Sequence, residues 1–214
     1  MNDIVIQHPS AGVTERRALF LLFHGVGADA HDLRAVGEAL ATAHPDAWVV
    51  SVQAPDPSDL GRGWQWFSVQ GVTPTNRAER VRAAMPGFVA RVEQWQRDTG
   101  SAAHRTTLVG FSQGAIMALA ATQREVPLAD RVVAMAGRLP EPPTHHDARL
   151  RVHLLHGVSD AVVPAQASVE AHAQLTAMGT HVTLDLFPDL AHGIDARMMA
   201  RVLERLAHAP NQDH

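Results

Sequence analysis

Apolar residues along the chain gather in short, mostly apolar runs separated by longer stretches of helical period. The runs are residues 18–23, 48–52, 106–109, 131–136, 151–155 and 181–187. Each is too short for a stable helix, and most are apolar throughout rather than alternating. That pattern predicts strands buried on both faces. Between them, residues 31–43 read as a helix entered after Gly25 and Gly27. Asn76 with Glu79 reads as a capping-box-like start. Val81, Met85, Phe88, Val92 and Trp95 then fall on one face of a long helix, which Pro86 is expected to kink. Residues 113–124 form a helix ended near Pro127. Residues 165–178 form another, with Pro164 at its opening and Gly179 at its stop. Asp195 reads as the N-cap of a last helix carrying Ile194, Met198, Val202 and Leu206 along its apolar side. Residues 53–63 and 138–147 are Pro-rich loops, and 209–214 read as a tail. Strand and helix thus alternate, which predicts an α/β fold: a mostly parallel central sheet with helices on both faces. Ligands of such sheets bind beyond the carboxyl ends of the strands, so chemistry is sought just after each run.

Length and composition narrow the chemistry. The 214 residues suit one domain spanning 1–214. The chain has no Cys, Lys or Tyr, and all 18 of its basic residues are Arg. That excludes disulfides, thiolate nucleophiles, Schiff bases, Ser–Lys dyads and phosphate-loop lysines. A net charge of −4 and the lack of any basic cluster argue against nucleic acid as a partner. The longest apolar run, residues 18–23, falls far short of the ~20 residues that span a bilayer, so no integral membrane segment is expected. The first nine residues carry Asp3 and no Lys or Arg, unlike a secretory signal, and a cytoplasmic protein is the expectation. Fourteen His suggest either imidazole acid–base chemistry or metal binding.

The run 106–109 is followed by Gly110-Phe111-Ser112-Gln113-Gly114. By composition alone G-x-S-x-G arises in about one chain in fifteen of this length, so its context decides. Here it lies between a strand and a helix, as a nucleophile elbow requires. The turn is sharp enough that a side chain at 110 or 114 would collide with its neighbours. Ser112 is expected to take a strained backbone conformation that presents its Oγ at the turn, and the helix opening at Gln113 aims free N–H groups at a developing oxyanion.

A serine nucleophile needs a base, and this elbow goes with the chain order Ser, acid, His. His8, His24, His31, His44 and His104 precede Ser112. His145 and His146 lie in the Pro-rich loop; His153 and His156 belong to a strand. His172 is on a helix, His181 opens a strand, and His208 and His214 are near the tail. Only His192 occupies the loop between the last strand and the last helix. Asp160, in the turn after residues 151–155, is the expected acid; it would fix the imidazole tautomer rather than take the proton. As rivals, Asp185 sits inside a strand, Asp189 lies three residues before His192, and Asp195 is a cap. His24-Gly25-Val26-Gly27 ends the first run, and the backbone N–H groups of Val26 and Gln113 are the expected oxyanion hole. His24 is expected to brace that loop. Trp64, Trp66, Phe67 and Phe111 are candidates for an apolar substrate pocket, with Trp66, Phe67 and Phe111 preferred; plain core packing is the competing expectation. His145-His146-Asp147 offers ligand types, but adjacent side chains in one loop rarely face one metal, and no third ligand is recognisable.

Leu22-Phe23-His24-Gly25-Val26-Gly27, Trp66-Phe67, Gly110-Phe111-Ser112-Gln113-Gly114-Ala115, His156-Gly157-Val158-Ser159-Asp160 with Val163-Pro164, and Ala191-His192 together resemble the α/β-hydrolase branch of carboxylesterases, lysophospholipases and acyl-protein thioesterases. Residues 66–71 and 116–119 look particularly like its bacterial carboxylesterases. The resemblance covers about residues 18–206. It implies a serine esterase with no cofactor and no metal, and it independently points to Ser112, Asp160 and His192. Two features depart from it: Ala28 stands where that family often has Asp, with Asp29 next, and the Pro-rich loop 138–147 does not map onto it. The expected substrate is a small-molecule ester of short or medium acyl length, because no lid of more than ~15 residues is evident. Thioesterase or lysophospholipase activity would use the same residues. A non-catalytic hydrolase-fold binder and a His-metal protein are the readings from other classes. Homodimerisation is left open.

Overall fold

The computed structural model describes residues 2–9 and 17–207; the expected tail at 209–214, His208 and His214 lie outside them. The apolar runs become strands. In chain order the elements are β1 (Ile4–Gln7), β2 (Leu19–Phe23), α1 (Arg34–Ala43), β3 (Trp48–Val52), β4 (Asp56–Pro57), β5 (Trp64–Gln65), α2 (Arg77–Thr99), β6 (Thr106–Phe111), α3 (Gln113–Ala121), β7 (Arg131–Met135), β8 (Arg151–Gly157), α4 (Gln166–Ala177), β9 (His181–Phe187) and α5 (Ala196–Ala207). Seven strands pair in the order β1-β3-β2-β6-β7-β8-β9. All neighbours are parallel except β1, which runs antiparallel to β3. This is the expected α/β architecture with one additional edge strand. β4 and β5 form a separate two-stranded ribbon within the loop after β3.

Alternation along β2 shows how the core divides. Leu19, Leu21 and Phe23 point into a layer shared with α2, α3 and α4. Phe20 and Leu22 point into a layer shared with α1 and α5. Both faces are covered, which is why the central strands tolerate no polar face. On α2 the expected stripe is realised: Val81, Phe88 and Val92 are buried, with Met85 and Trp95 packed beside them. The helix continues through Pro86.

Two local expectations need correcting. Asn76 precedes α2 but does not cap it. Its Oδ1 accepts the Thr73 N–H at 2.8 Å and its Nδ2 donates to the Gly71 carbonyl at 3.0 Å, so the side chain closes the preceding loop instead. The first helix starts at Arg34 rather than 31, because Asp29 Oδ1 takes the His31 N–H (2.7 Å) and holds those residues in a turn. Asp195 does cap α5, accepting the Met198 N–H at 2.9 Å. The sheet's C-terminal edge therefore carries the loops after β2, β3, β6, β7, β8 and β9 side by side.

Candidate active site

Ser112 sits where β6 turns into α3, with φ 52° and ψ −114°, a region costly to a residue bearing a Cβ. The glycines beside it are dictated by space. A Cβ at Gly110 would lie 2.5 Å from the Ala115 backbone, and one at Gly114 only 2.0 Å from the Phe23 carbonyl oxygen. The Ser112 N–H donates to the Met135 carbonyl at 2.9 Å, which locks the turn against β7.

The structure brings the three sequence-predicted side chains together. His192, in the loop between β9 and α5, places Nε2 2.9 Å from Ser112 Oγ. Its Nδ1 is 2.6 Å from Asp160 Oδ2. The acceptors define the tautomer: Nδ1–H donates to the carboxylate, and Nε2 accepts the serine hydroxyl proton. Ser112 and Asp160 are buried, and the imidazole is partly open. Asp160 also organises its own turn, its Oδ1 accepting the Val162 and Val163 N–H groups at 2.8 Å each. Burial pushes this carboxyl up, but the hydrogen bonds from His192, Val163 and Val162 outweigh it and leave the pKa below the usual carboxylate value. Asp160 is therefore ionised at neutral pH.

A second imidazole stands behind the carboxylate. His156, at 0% exposure, has Nε2 2.8 Å from the Val163 carbonyl and 3.2 Å from Asp160 Oδ2. Its Nδ1 meets Ser168 Oγ at 2.7 Å. Burial holds His156 below the ordinary imidazole pKa, despite the opposing pull of the Val163 carbonyl and Asp160. It serves as a neutral brace. His24 is a brace of the same kind, as expected. Its Nδ1–H donates to the Gly25 carbonyl at 2.7 Å, and its Nε2 accepts the Ala54 N–H at 3.1 Å. Burial again keeps it below the ordinary value.

The loop carrying Val26 runs beside the elbow: a Cβ on Gly25 would lie 3.2 Å from that of Ser112. The Gln113 N–H, at the first position of α3, has no intrahelical acceptor. The Gln113 side chain does something the sequence did not reveal. Its Oε1 accepts the Trp66 N–H and its Nε2 donates to the Phe67 carbonyl, each at 2.7 Å. Trp66 and Phe67 are 3% and 6% exposed and belong to the core; Trp66 Nε1 donates to the His24 carbonyl at 2.9 Å, and its ring packs on Phe23 and Phe88. Packing thus claims these two rings. Phe111 stands at the site, its ring centroid 5.1 Å from that of His192. A cavity of about 330 Å³ lined by Gln53, Trp66, Phe88 and Arg91 among others does not reach Ser112, Asp160 or His192.

His145, His146 and Asp147 do not converge. The His145 N–H donates to Gln123 Oε1 at 3.0 Å, and Asp147 Oδ1 accepts the Arg149 N–H at 2.9 Å. Among the described residues no three His, Asp or Glu side chains are grouped to hold a metal, and no helix is long and apolar enough to cross a membrane.

Known proteins resemble this chain along nearly its whole length. The phospholipase/carboxylesterase family matches residues 2–209. Esterase YpfH of Escherichia coli (strain K12) is 43% identical over 207 residues, covering 97% of this chain and 88% of that protein. The crystal structure of esterase PE8 superposes with a TM-score of 0.82 at 28% identity, covering 90% of this chain and 92% of that one. The carboxylesterase of Bacillus cereus shares the fold at TM-score 0.79 and 18% identity, with 96% and 92% covered. A match spanning nearly every residue leaves one assignment: the chain belongs to the phospholipase/carboxylesterase family, ester-cleaving enzymes of the α/β-hydrolase fold.

Proposed function

We propose that the chain is a serine esterase that cleaves short-to-medium acyl carboxylic esters through an acyl-enzyme on Ser112. The observation that carries this is the unbroken hydrogen-bonded line from Ser112 Oγ through His192 to Asp160, at 2.9 and 2.6 Å. Ser112 Oγ attacks the ester carbonyl as its proton passes to His192 Nε2. Asp160 stabilises the imidazolium without taking the proton. The Val26 and Gln113 N–H groups stabilise the tetrahedral oxyanion. His192 then protonates the leaving alcohol, the C–O bond breaks, and water repeats the sequence on the acyl-enzyme. Thioesters and lysophospholipids present the same carbonyl to the same residues, and a chain-length series of esters and thioesters on one sample ranks them.

Ser112→Ala is expected to lower ester turnover by on the order of 10⁶-fold and to abolish fluorophosphonate labelling. Labelling of the wild type is expected to persist in EDTA. Wild-type turnover in the Ser112→Ala protein, or loss of labelling on chelation, overturns the reading.

A further inference from the structure

Among the described residues many arginines are held by a partner. Eight of them (Arg34, Arg82, Arg91, Arg97, Arg149, Arg197, Arg201 and Arg205) lie against carboxylates. Arg80 and Arg131 donate to backbone carbonyls. Arg77 and Arg138 are among those without such a partner: among the described residues neither guanidinium has a hydrogen bond or a close ion pair, and they are the two that line one cavity together. Both are half-buried, and both line one cavity of about 240 Å³ between loop 138–142, the start of α2 and α4. Two acids share that wall. Glu141 is taken by Arg82 at 2.6 Å, and Glu170 is exposed. The cavity is left with two half-buried cations against one solvated carboxylate.

The cavity's lining does not include Ser112, Asp160 or His192, and its link to the site is Arg138. Arg138 follows β7 by three residues. The Met135 carbonyl that ends β7 accepts the Ser112 N–H, and Ala136, at φ 52°, turns the chain there. Arg138 lies close enough to Asp160 and Glu170 to be stabilised by both, yet burial and the charge of Arg77 hold its pKa below the ordinary arginine value. Two like charges held half-buried with no directly bonded carboxylate are costly to the fold, even with Asp160 and Glu170 at longer range. A bound oxyanion removes that cost, and guanidinium forks match carboxylate and phosphate oxygens better than any other side chain.

We propose that Arg77 and Arg138 form an anion subsite beside the elbow, which selects esters carrying a carboxylate or a phosphate on the part of the molecule directed away from Ser112. This rests on the serine-esterase reading above and adds the substrate class to it. A plain apolar ester lacks the group that would satisfy the two cations, so the enzyme discriminates by charge as well as by acyl length.

The test compares matched pairs that differ only at the far end: monomethyl succinate, adipate and suberate against methyl esters of monocarboxylic acids of equal length. The ω-phosphonate analogue of each forms a second arm. In the wild type, kcat/KM is expected to favour the charged member of at least one pair, and the preference to fade with added salt. Arg77→Gln and Arg138→Gln are each expected to lower the charged-to-neutral ratio about tenfold or more, the effect of one lost charge-assisted hydrogen bond. Arg138→Lys should restore part of it. The ratio matters because Arg138 also lies near Asp160: any effect on the triad touches both members of a pair and cancels. A ratio that moves only in the carboxylate arm or only in the phosphonate arm names the preferred group. A neutral preference at every length, or a ratio unmoved by both substitutions while fluorophosphonate labelling proceeds, overturns the subsite alone. Failure of wild-type labelling overturns the serine-esterase reading beneath it.

Discussion

At the scale of single residues, Asp160 divides its two oxygens between different tasks. Oδ1 holds the Val162 and Val163 N–H groups, and Oδ2 faces His192 Nδ1 and stands 3.2 Å from His156 Nε2. This makes Asp160→Asn a clean test. An Asn at this position keeps its carbonyl oxygen on the two backbone donors, so its NH₂ must face His192. The imidazole is then driven to accept at Nδ1 and carry its proton on Nε2, where it cannot take the Ser112 hydroxyl proton. Activity on esters is expected to fall by about 10⁴-fold, as for the same change in another triad enzyme, while the turn and the circular dichroism spectrum stay intact. A loss of tenfold or less would show that Asp160 serves only its own turn. Ser112, Asp160 and His192 were legible as candidates because each lies in the loop after a strand and chain order limits the choice. The sequence could not place Ser168 behind His156, or pair Arg77 with Arg138. Those meetings depend on how α4 and α2 lie over the sheet, and no spacing along the chain encodes that.

At the scale of elements, the parts legible in the sequence were those with a long apolar signal. Six strands fall where the mostly apolar runs lie; for the five inner ones burial on both faces leaves a composition that turns and helices do not mimic, while β9, at the sheet edge, is only partly buried. β1 is only four residues, IVIQ, half-buried at the sheet edge, and gives no such signal. Its neighbour Asp3 fixes it by accepting from Gln53 N–H at 3.0 Å and Trp95 Nε1 at 2.6 Å, and by pairing with Arg91. The ribbon of β4 and β5 has two residues per strand, too few for any period to register. What holds that ribbon's exit against α3 is the Gln113 amide, through its bonds to Trp66 and Phe67. Gln113→Ala leaves the Trp66 N–H and the Phe67 carbonyl unsatisfied in a buried place, at about 1–3 kcal/mol per group. Urea unfolding should show a loss of about 2 kcal/mol or more, with red-shifted tryptophan emission as Trp66 gains access to water. An unchanged midpoint would mean that core packing alone positions this segment.

Across the whole molecule, the abundance of histidine has a consequence for stability more than for catalysis. His24, His44, His153 and His156 are all held below the ordinary imidazole pKa, chiefly by burial. His153 is the extreme. Its ring is 7% exposed on β8, bonded to Thr183 Oγ1 at 2.9 Å. Burial, reinforced by Arg131, Arg205 and Arg151 and opposed by Asp185, carries it from 6.5 down to about 4. A group that protonates less readily when folded than when unfolded favours folding above its unfolded pKa. That advantage is lost as pH falls from 6.5 towards 4, because over this span the unfolded chain binds the proton and the native state refuses it. For His153 alone the loss between pH 7 and pH 5 comes to about 2 kcal/mol, and the other three add to it in the same direction. Acid unfolding should therefore begin near pH 6, above the range in which carboxylates titrate. Urea unfolding at pH 7 and pH 5 measures the loss directly. In His153→Asn, whose side chain carries no titrating group, the gap between the two pH values should narrow by about 2 kcal/mol, whatever the substitution costs at pH 7. A gap of the same size in wild type and variant would mean that His153 takes up its proton without leaving the native state.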